Sequence, residues 1–258
     1  MSMLVANAVS KSFGGLRAID DASLTVEPGA IHALIGPNGA GKTTFLNMVT
    51  RIYQPDSGSI RFDGHDLLAA KPHDIARLGM SRIFQQVELF GALSVNDNVA
   101  IGGHVLRKAG MLAALVQSAS ARKEERDLME RVREALEFVG LSDLGEREAA
   151  TLTGGQARLL GLARALVCAP KMVLLDELVA GLNSQERYEA TLLVRRLRDE
   201  RGTTILLIEH DMQFVMNLAD RVSVLDFGRI IAHGTPQEVQ ADPAVIQAYL
   251  GGGKYGRA

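Results

Sequence analysis

The chain has 258 residues, 47% of them hydrophobic and 22% charged, with a formal net charge of −2. That composition supports a packed core and excludes a disordered or fibrous chain, and its interspersed charges lack the broad basic face that binding nucleic acid requires. The single cysteine, Cys168, excludes an internal disulfide and a cysteine-based metal cluster and suits a reducing compartment. Residues 1–9 carry no basic n-region and do not read as a signal peptide. No apolar run reaches the ~18 residues that a membrane helix needs; residues 110–116 come nearest. Work at a membrane would need other chains to cross it.

In chain order, residues 4–8, 22–26 and 31–35 read as strands, with Glu27-Pro28-Gly29 as the turn before the last. The third strand feeds a glycine-rich loop of Gly36, Pro37, Asn38, Gly39, Ala40, Gly41, Lys42, Thr43 and Thr44. Residues 43–51 then carry Phe45, Leu46, Met48 and Val49 at helical spacing. After Asp56-Ser57-Gly58-Ser59 and a strand at 60–62 comes a helix-rich middle, from about 75 to 168. Within it, residues 122–139 place Leu128, Val132, Leu136 and Val139 on one side of mixed charges, which predicts an amphipathic helix with a solvated face. The apolar runs 172–175 and 204–208, each ending in an acid or His, predict buried parallel strands whose carboxyl ends present ligand-binding groups. A hairpin at 221–233 and one helix at 237–250 close the domain, with 251–258 as a frayed tail.

Residues 36–43 fit G-x-x-x-x-G-K-[ST] in full, in the strand, loop, helix order that makes this phosphate-binding motif credible. Glycines let successive backbone N–H groups face phosphate oxygens, and the following helix adds its positive N-terminal end. Lys42 is expected at the β- and γ-phosphates, and the Thr43 hydroxyl on Mg²⁺. Mg²⁺ takes few protein ligands, and one further acid at a buried strand end is the usual complement, a place that Asp176 fits. Glu177 follows, where it could polarise an attacking water. An acidic pair there would also suit a helix N-cap.

Thr151-Leu152-Thr153-Gly154-Gly155-Gln156 lies between these two motifs and opens an apolar-periodic helix at 157–168. It resembles the L-S-G-G-Q signature of ABC (ATP-binding cassette) ATPases, and the remaining cassette motifs occur in order along essentially the whole chain. The resemblance implies an α/β P-loop NTPase fold. One domain over 1–258 would combine a RecA-like core, an antiparallel β subdomain and an inserted helical subdomain at about 87–168. It implies ATP as substrate with Mg²⁺, the ion held by Thr43, Gln85 and Asp176, and Glu177, His210 and Gln85 in catalysis. Gln85, in Ile83-Phe84-Gln85, matches the Q-loop glutamine, with Gln86 offering the same side chain one residue on. His210, in Ile208-Glu209-His210-Asp211, matches the switch histidine that contacts the γ-phosphate, and Phe13 the aromatic that stacks on adenine. Family cassettes pair head to tail, so Leu152, Thr153, Gly154, Gly155 and Gln156 would serve the partner's ATP.

Within the family, the chain is most similar to the longer ATP-binding subunit of bacterial branched-chain amino acid importers. Phe13-Gly14-Gly15-Leu16, Ala180-Gly181-Leu182-Asn183, the stretch 208–212, the tail 241–251 and an insertion at about 103–123 carry that likeness. It implies a second cassette, two membrane permeases and an extracytoplasmic amino-acid-binding protein as partners, and a peripheral place on the cytoplasmic face of the cell membrane. Cassettes of other transporters, for lipopolysaccharide extraction or urea and amide uptake, resemble it closely. A soluble non-transport cassette would carry a long coiled-coil insertion or a second cassette, and neither is present. The sequence departs from the family pattern at Thr153 in the signature, at Leu178, where Pro usually follows Asp-Glu, and at Ser184, where Pro is common.

Overall fold

The computed structural model describes residues 2–83, 88–106 and 119–251. Gln85, Gln86 and the predicted frayed tail beyond Gly251 lie outside the described residues. In chain order the elements are β1 (Leu4–Phe13), β2 (Leu16–Val26), β3 (Ile31–Ile35), α1 (Lys42–Val49), β4 (Ser57–Phe62), β5 (His65–Asp66), α2 (Ile75–Leu78), β6 (Met80–Ile83), α3 (Val95–Gly102), α4 (Ala119–Val139), α5 (Gly154–Leu166), β7 (Met172–Asp176), α6 (Ser184–Arg201), β8 (Thr204–Ile208), α7 (Met212–Leu218), β9 (Arg221–Asp226), β10 (Arg229–Gly234), α8 (Pro236–Ala241) and α9 (Pro243–Gly251). They divide into two compact units, 1–75 with 172–258, and 76–171.

The first unit contains two sheets. One is antiparallel, in the order β2-β1-β4-β5. In the other, this unit contributes β10-β9-β3-β8-β7, with β3 parallel to both β9 and β8, β8 parallel to β7, and β10 antiparallel to β9. Every residue of β3, β7 and β8 is buried, as continuous apolar runs in a parallel sheet require. Their carboxyl ends lead into the phosphate loop, Glu177 and Glu209. α1 buries Phe45, Leu46, Met48 and Val49, so the helix after the loop is held by its apolar side. A chain of polar groups runs from the buried His32 and Ser223 to the exposed His233 across the same sheet: His32 Nε2 lies 2.9 Å from Ser223 Oγ, which lies 2.9 Å from His233 Nδ1. Burial first, then the neighbouring His233 and Arg221, pull His32 down to about 4.

Several elements differ from their predicted limits. β1 and β2 run well past 4–8 and 22–26, because Lys11, Ser12 and Arg17 pair across an antiparallel ladder that tolerates polar side chains. The helix predicted at 237–250 is two helices. Thr235 caps α8 with a complete capping box to Glu238, and Pro243 cannot continue that helix and starts α9 instead. The helix-rich middle also contains a strand, β6, and the helix predicted from 157 begins at Gly154.

The second unit is built on α3, α4 and α5. α4 buries Leu128, Val132, Leu136 and Val139, the apolar positions that the sequence pattern marks. α3 ends against α5 so closely that a Cβ on Gly102 would lie 2.1 Å from the Arg164 carbonyl oxygen.

Candidate nucleotide site

β3 ends at Ile35, and the loop turns at once. Gly36 has φ +152° and Gly41 φ +107°, backbone that favours glycine. Space demands glycine as well: a Cβ on Gly36 would meet the Leu225 carbonyl oxygen at 2.0 Å, and one on Gly41 the Ala18 carbonyl oxygen at 2.5 Å. The loop is anchored from outside, since the Gly228 N–H donates to the Ala40 carbonyl at 2.9 Å. Thr43 and Thr44 lie in the first turn of α1, which has no side-chain cap and no acid in that turn, so no local cap occupies its first backbone N–H groups.

Lys42 Nζ donates to the carbonyls of Gly36 and Pro37 at 2.8 and 2.9 Å. Partial burial lowers its pKa, while the negative charges of Glu177 and then Asp176 act to raise it. Lysine and both carboxylates therefore belong to one electrostatic cluster. Asp176 is the last residue of β7 and is buried.

Glu177 has φ +54°, left-handed backbone that costs a non-glycine residue ~1 kcal/mol or more. Its N–H donates to the Ile208 carbonyl at 2.9 Å, which ties the end of β7 to the end of β8. The pair is therefore not a helix N-cap. The next helix, α6, is capped by Asn183 in a reciprocal box with Glu186. Ser184 is the first residue of that helix, where a proline would also be accommodated.

His210 is 59% exposed, and its Nδ1 lies 4.0 Å from Glu177 Oε1. The same nitrogen lies 4.0 Å from Oε2 of Glu209, whose side chain is completely buried. Glu209 Oε1 accepts the Val179 N–H at 2.8 Å. Burial pushes the Glu209 carboxyl up to about 7, against the opposing pull of the Val179 N–H and His210. Sequence reasoning gave Glu209 no role. Its only signal was an acid directly after an apolar run.

Phe13 ends β1, half-exposed, with Tyr53 edge-on at 5.1 Å between ring centroids and Lys11 Nζ 5.6 Å from its own centroid. Tyr53 is a second aromatic that the sequence pattern did not mark. In the other unit, Thr153 caps α5. Its Oγ accepts the Gln156 N–H at 3.3 Å, and Gln156 Oε1 accepts the Thr153 N–H at 3.0 Å. Leu152 leads into this cap, and a Cβ on Gly154 would meet nothing within 4 Å. Gly155 follows as the second residue of α5, so the signature is a well-formed helix start that stays open at Gly154.

A model of the ABC transporter family matches residues 19–180, well over half of the chain. The chain is an ATP-binding cassette of the ABC transporter family. A second model, for branched-chain amino acid ATP-binding cassette transporters, matches residues 229–255 of this cassette. The high-affinity branched-chain amino acid transport ATP-binding protein BraF of Pseudomonas aeruginosa is 41% identical, over 96% of this chain and 98% of its own length. LivG of Escherichia coli, with the same description, is 40% identical over the same shares. Among solved structures, an ATP-binding cassette of an ABC transporter in its ADP conformation is 32% identical with a TM-score of 0.84, covering 97% of this chain and 99% of that one. A nucleotide-free cassette gives 32% and 0.82, covering 96% and 99%. The α/β P-loop cassette fold implied by the sequence is therefore the observed one.

Proposed function

We propose that this cassette hydrolyses ATP to drive an importer of branched-chain, hydrophobic amino acids. It would work from the cytoplasmic face of the cell membrane with a second cassette, two permeases and, indirectly, an extracytoplasmic amino-acid-binding protein. No helix among the described residues is long and apolar enough to cross a membrane, in keeping with permeases supplied by other chains. End-to-end similarity to BraF and LivG, and the match at 229–255, support the substrate class. The helical part of the cassette is taken as about 87–168.

The observation that carries the hydrolytic reading is the convergence of Lys42, Asp176, Glu177 and His210 at adjoining strand ends of one unit. The glycine cradle leaves room for phosphate oxygens against loop N–H groups, since a Cβ on Gly39 would meet nothing within 4 Å. Lys42 exchanges its two carbonyl partners for the β- and γ-phosphates. Phe13 offers its ring to adenine. The Asp176 carboxylate and Thr43 hydroxyl are oxygen donors of the kind Mg²⁺ selects, with Gln85 as the third. That ion, when bound, would neutralise charge developing on the phosphates. Glu177 takes the proton of the attacking water, and His210 donates to the γ-phosphate. Leu152, Thr153, Gly154, Gly155 and Gln156 contribute to the ATP held by the second cassette.

Reconstitution in vesicles with candidate permeases and binding proteins tests the reading. Leucine, isoleucine or valine should stimulate ATP hydrolysis several-fold more than lysine or glutamate. Equal stimulation by all amino acids, or none by any, would overturn the substrate assignment.

A further inference from the structure

Glu209 is a completely buried carboxyl to which the mechanism above assigns nothing. Its Oε1 accepts the Val179 N–H, whereas its Oε2 is buried and makes no hydrogen bond of normal geometry among the described residues, although the His210 backbone N–H also pulls on the carboxyl. A buried polar atom left unpaired costs ~1–3 kcal/mol, so the group is driven to find one. His210 Nδ1, at 4.0 Å, needs to approach by only about 1 Å to make that bond.

We propose that Glu209 is a positioning residue for His210. Its Oε2 bonds Nδ1 and fixes the ring with its hydrogen on Nε2, while its Oε1 ties the segment after Glu177 to the end of β8. The inference rests on the switch role proposed for His210.

The chemistry is a matter of where one proton sits. With the proton on Glu209, the neutral carboxyl donates Oε2–H to Nδ1, and the neutral imidazole carries its hydrogen on Nε2. With the proton on Nδ1, an imidazolium donates to the carboxylate, and Nε2 again carries a hydrogen. In both states Nε2 is a donor toward a phosphate oxygen. Glu177 alone could not secure this, because a Glu177 carboxylate accepting from a neutral ring at Nδ1 leaves Nε2 as a lone pair facing phosphate. Glu209 therefore also releases Glu177 to take the proton of water. Glu177 and His210 are the charged neighbours that act on Glu209, and burial favours its protonated form near neutrality.

The test uses the full chain with nitrogen-15-labelled histidine, with ATP hydrolysis measured in parallel. The signal lost in His210→Ala identifies the ring, which should show hydrogen on Nε2 in the native protein. Glu209→Met should shift the ring toward the other tautomer and lower kcat by about tenfold to a hundredfold, with KM changed by less than about twofold. Glu209→Gln should keep the Nε2–H form and retain kcat within about threefold, because its carbonyl can accept from Val179 and its amide N–H can donate to Nδ1. A native ring with hydrogen on Nδ1 and none on Nε2, a Glu209→Met ring and kcat like the native ones, or Glu209→Gln losing as much activity as Glu209→Met would each overturn the proposal. Should Glu209→Met fail to fold, the native tautomer and Glu209→Gln decide it. If His210→Ala hydrolyses ATP at the native rate, the switch role fails instead, and the tautomer measurement shows which of the two readings was wrong.

Discussion

Replacing His32 by Gln should remove a pH-dependent part of the stability of β3, the strand that supports the phosphate loop. His32 is almost completely buried, and burial lowers it from 6.5 to about 4. In the unfolded chain the ring regains its ordinary value, so between pH 6.5 and 4 the unfolded state binds more protons than the folded state. A histidine with a depressed folded value therefore leaves stability intact above pH 6.5 and erodes it as pH falls toward 4. The full loss amounts to ~3 kcal/mol, with ~2 kcal/mol already gone by pH 5. Gln has no proton to gain, and its amide can still bond Ser223 Oγ. Urea unfolding of both proteins at pH 7.5, 6.5, 5.5 and about 5 measures the difference, since titrating groups other than His233, which acts on His32, cancel between them. The native protein should lose about 2 kcal/mol more than the variant across that range. Parallel stability curves, or a variant that falls faster than the native protein, would refute the argument.

Glu177→Gln should bind ATP with near-native affinity while turnover drops by about a hundredfold or more, as expected for loss of a general base. Nucleotide titration alongside a phosphate-release assay separates the two effects, and native turnover would remove Glu177 from its role. Lys42→Ala should instead weaken ATP binding by about tenfold or more, the worth of a charge-assisted contact to phosphate. Unchanged affinity by titration calorimetry would contradict the loop assignment. Gly36→Ala should destabilise the fold by ~2 kcal/mol or more and abolish nucleotide binding, because its Cβ would lie 2.0 Å from the Leu225 carbonyl oxygen at a φ of +152°. A native melting temperature with native affinity would contradict that geometry.

Those parts of the site that depend on local chemistry were legible in the sequence. Gly36 and Gly41 declare a backbone that other residues resist, and the apolar runs before Asp176 and Glu209 declare buried parallel strands. The Asn183 box with Glu186 was readable too, since Asn three residues before Glu is a helix-start pattern. Glu209 was not. Acids are overwhelmingly solvated, and nothing local shows that this one is buried against a backbone amide 30 residues away in sequence. The same holds for His32, Ser223 and His233, which meet only because β3, β9 and β10 are neighbours in one sheet. The break between α8 and α9 could have been read from Pro243, but the apolar spacing on both sides of it obscured the stop.

The departure at Leu178 takes on a different meaning in this setting. A proline after Glu177 would lock the backbone there by its ring, whereas Leu178 leaves that torsion free. Two long-range bonds act on the segment instead: the Glu177 N–H to the Ile208 carbonyl at 2.9 Å, and the Val179 N–H to Glu209 Oε1 at 2.8 Å. Both run to the end of β8, immediately before His210. Constraint that a proline would supply locally is thus supplied by the neighbouring strand. The backbone that holds Glu177 is therefore tied directly to the two residues before His210. The left-handed conformation of Glu177 fits this arrangement, because strained backbone persists where surrounding contacts over-determine it. Glu177 and His210, the proposed base and switch, are thus carried on the joined ends of β7 and β8, with Glu209 between them.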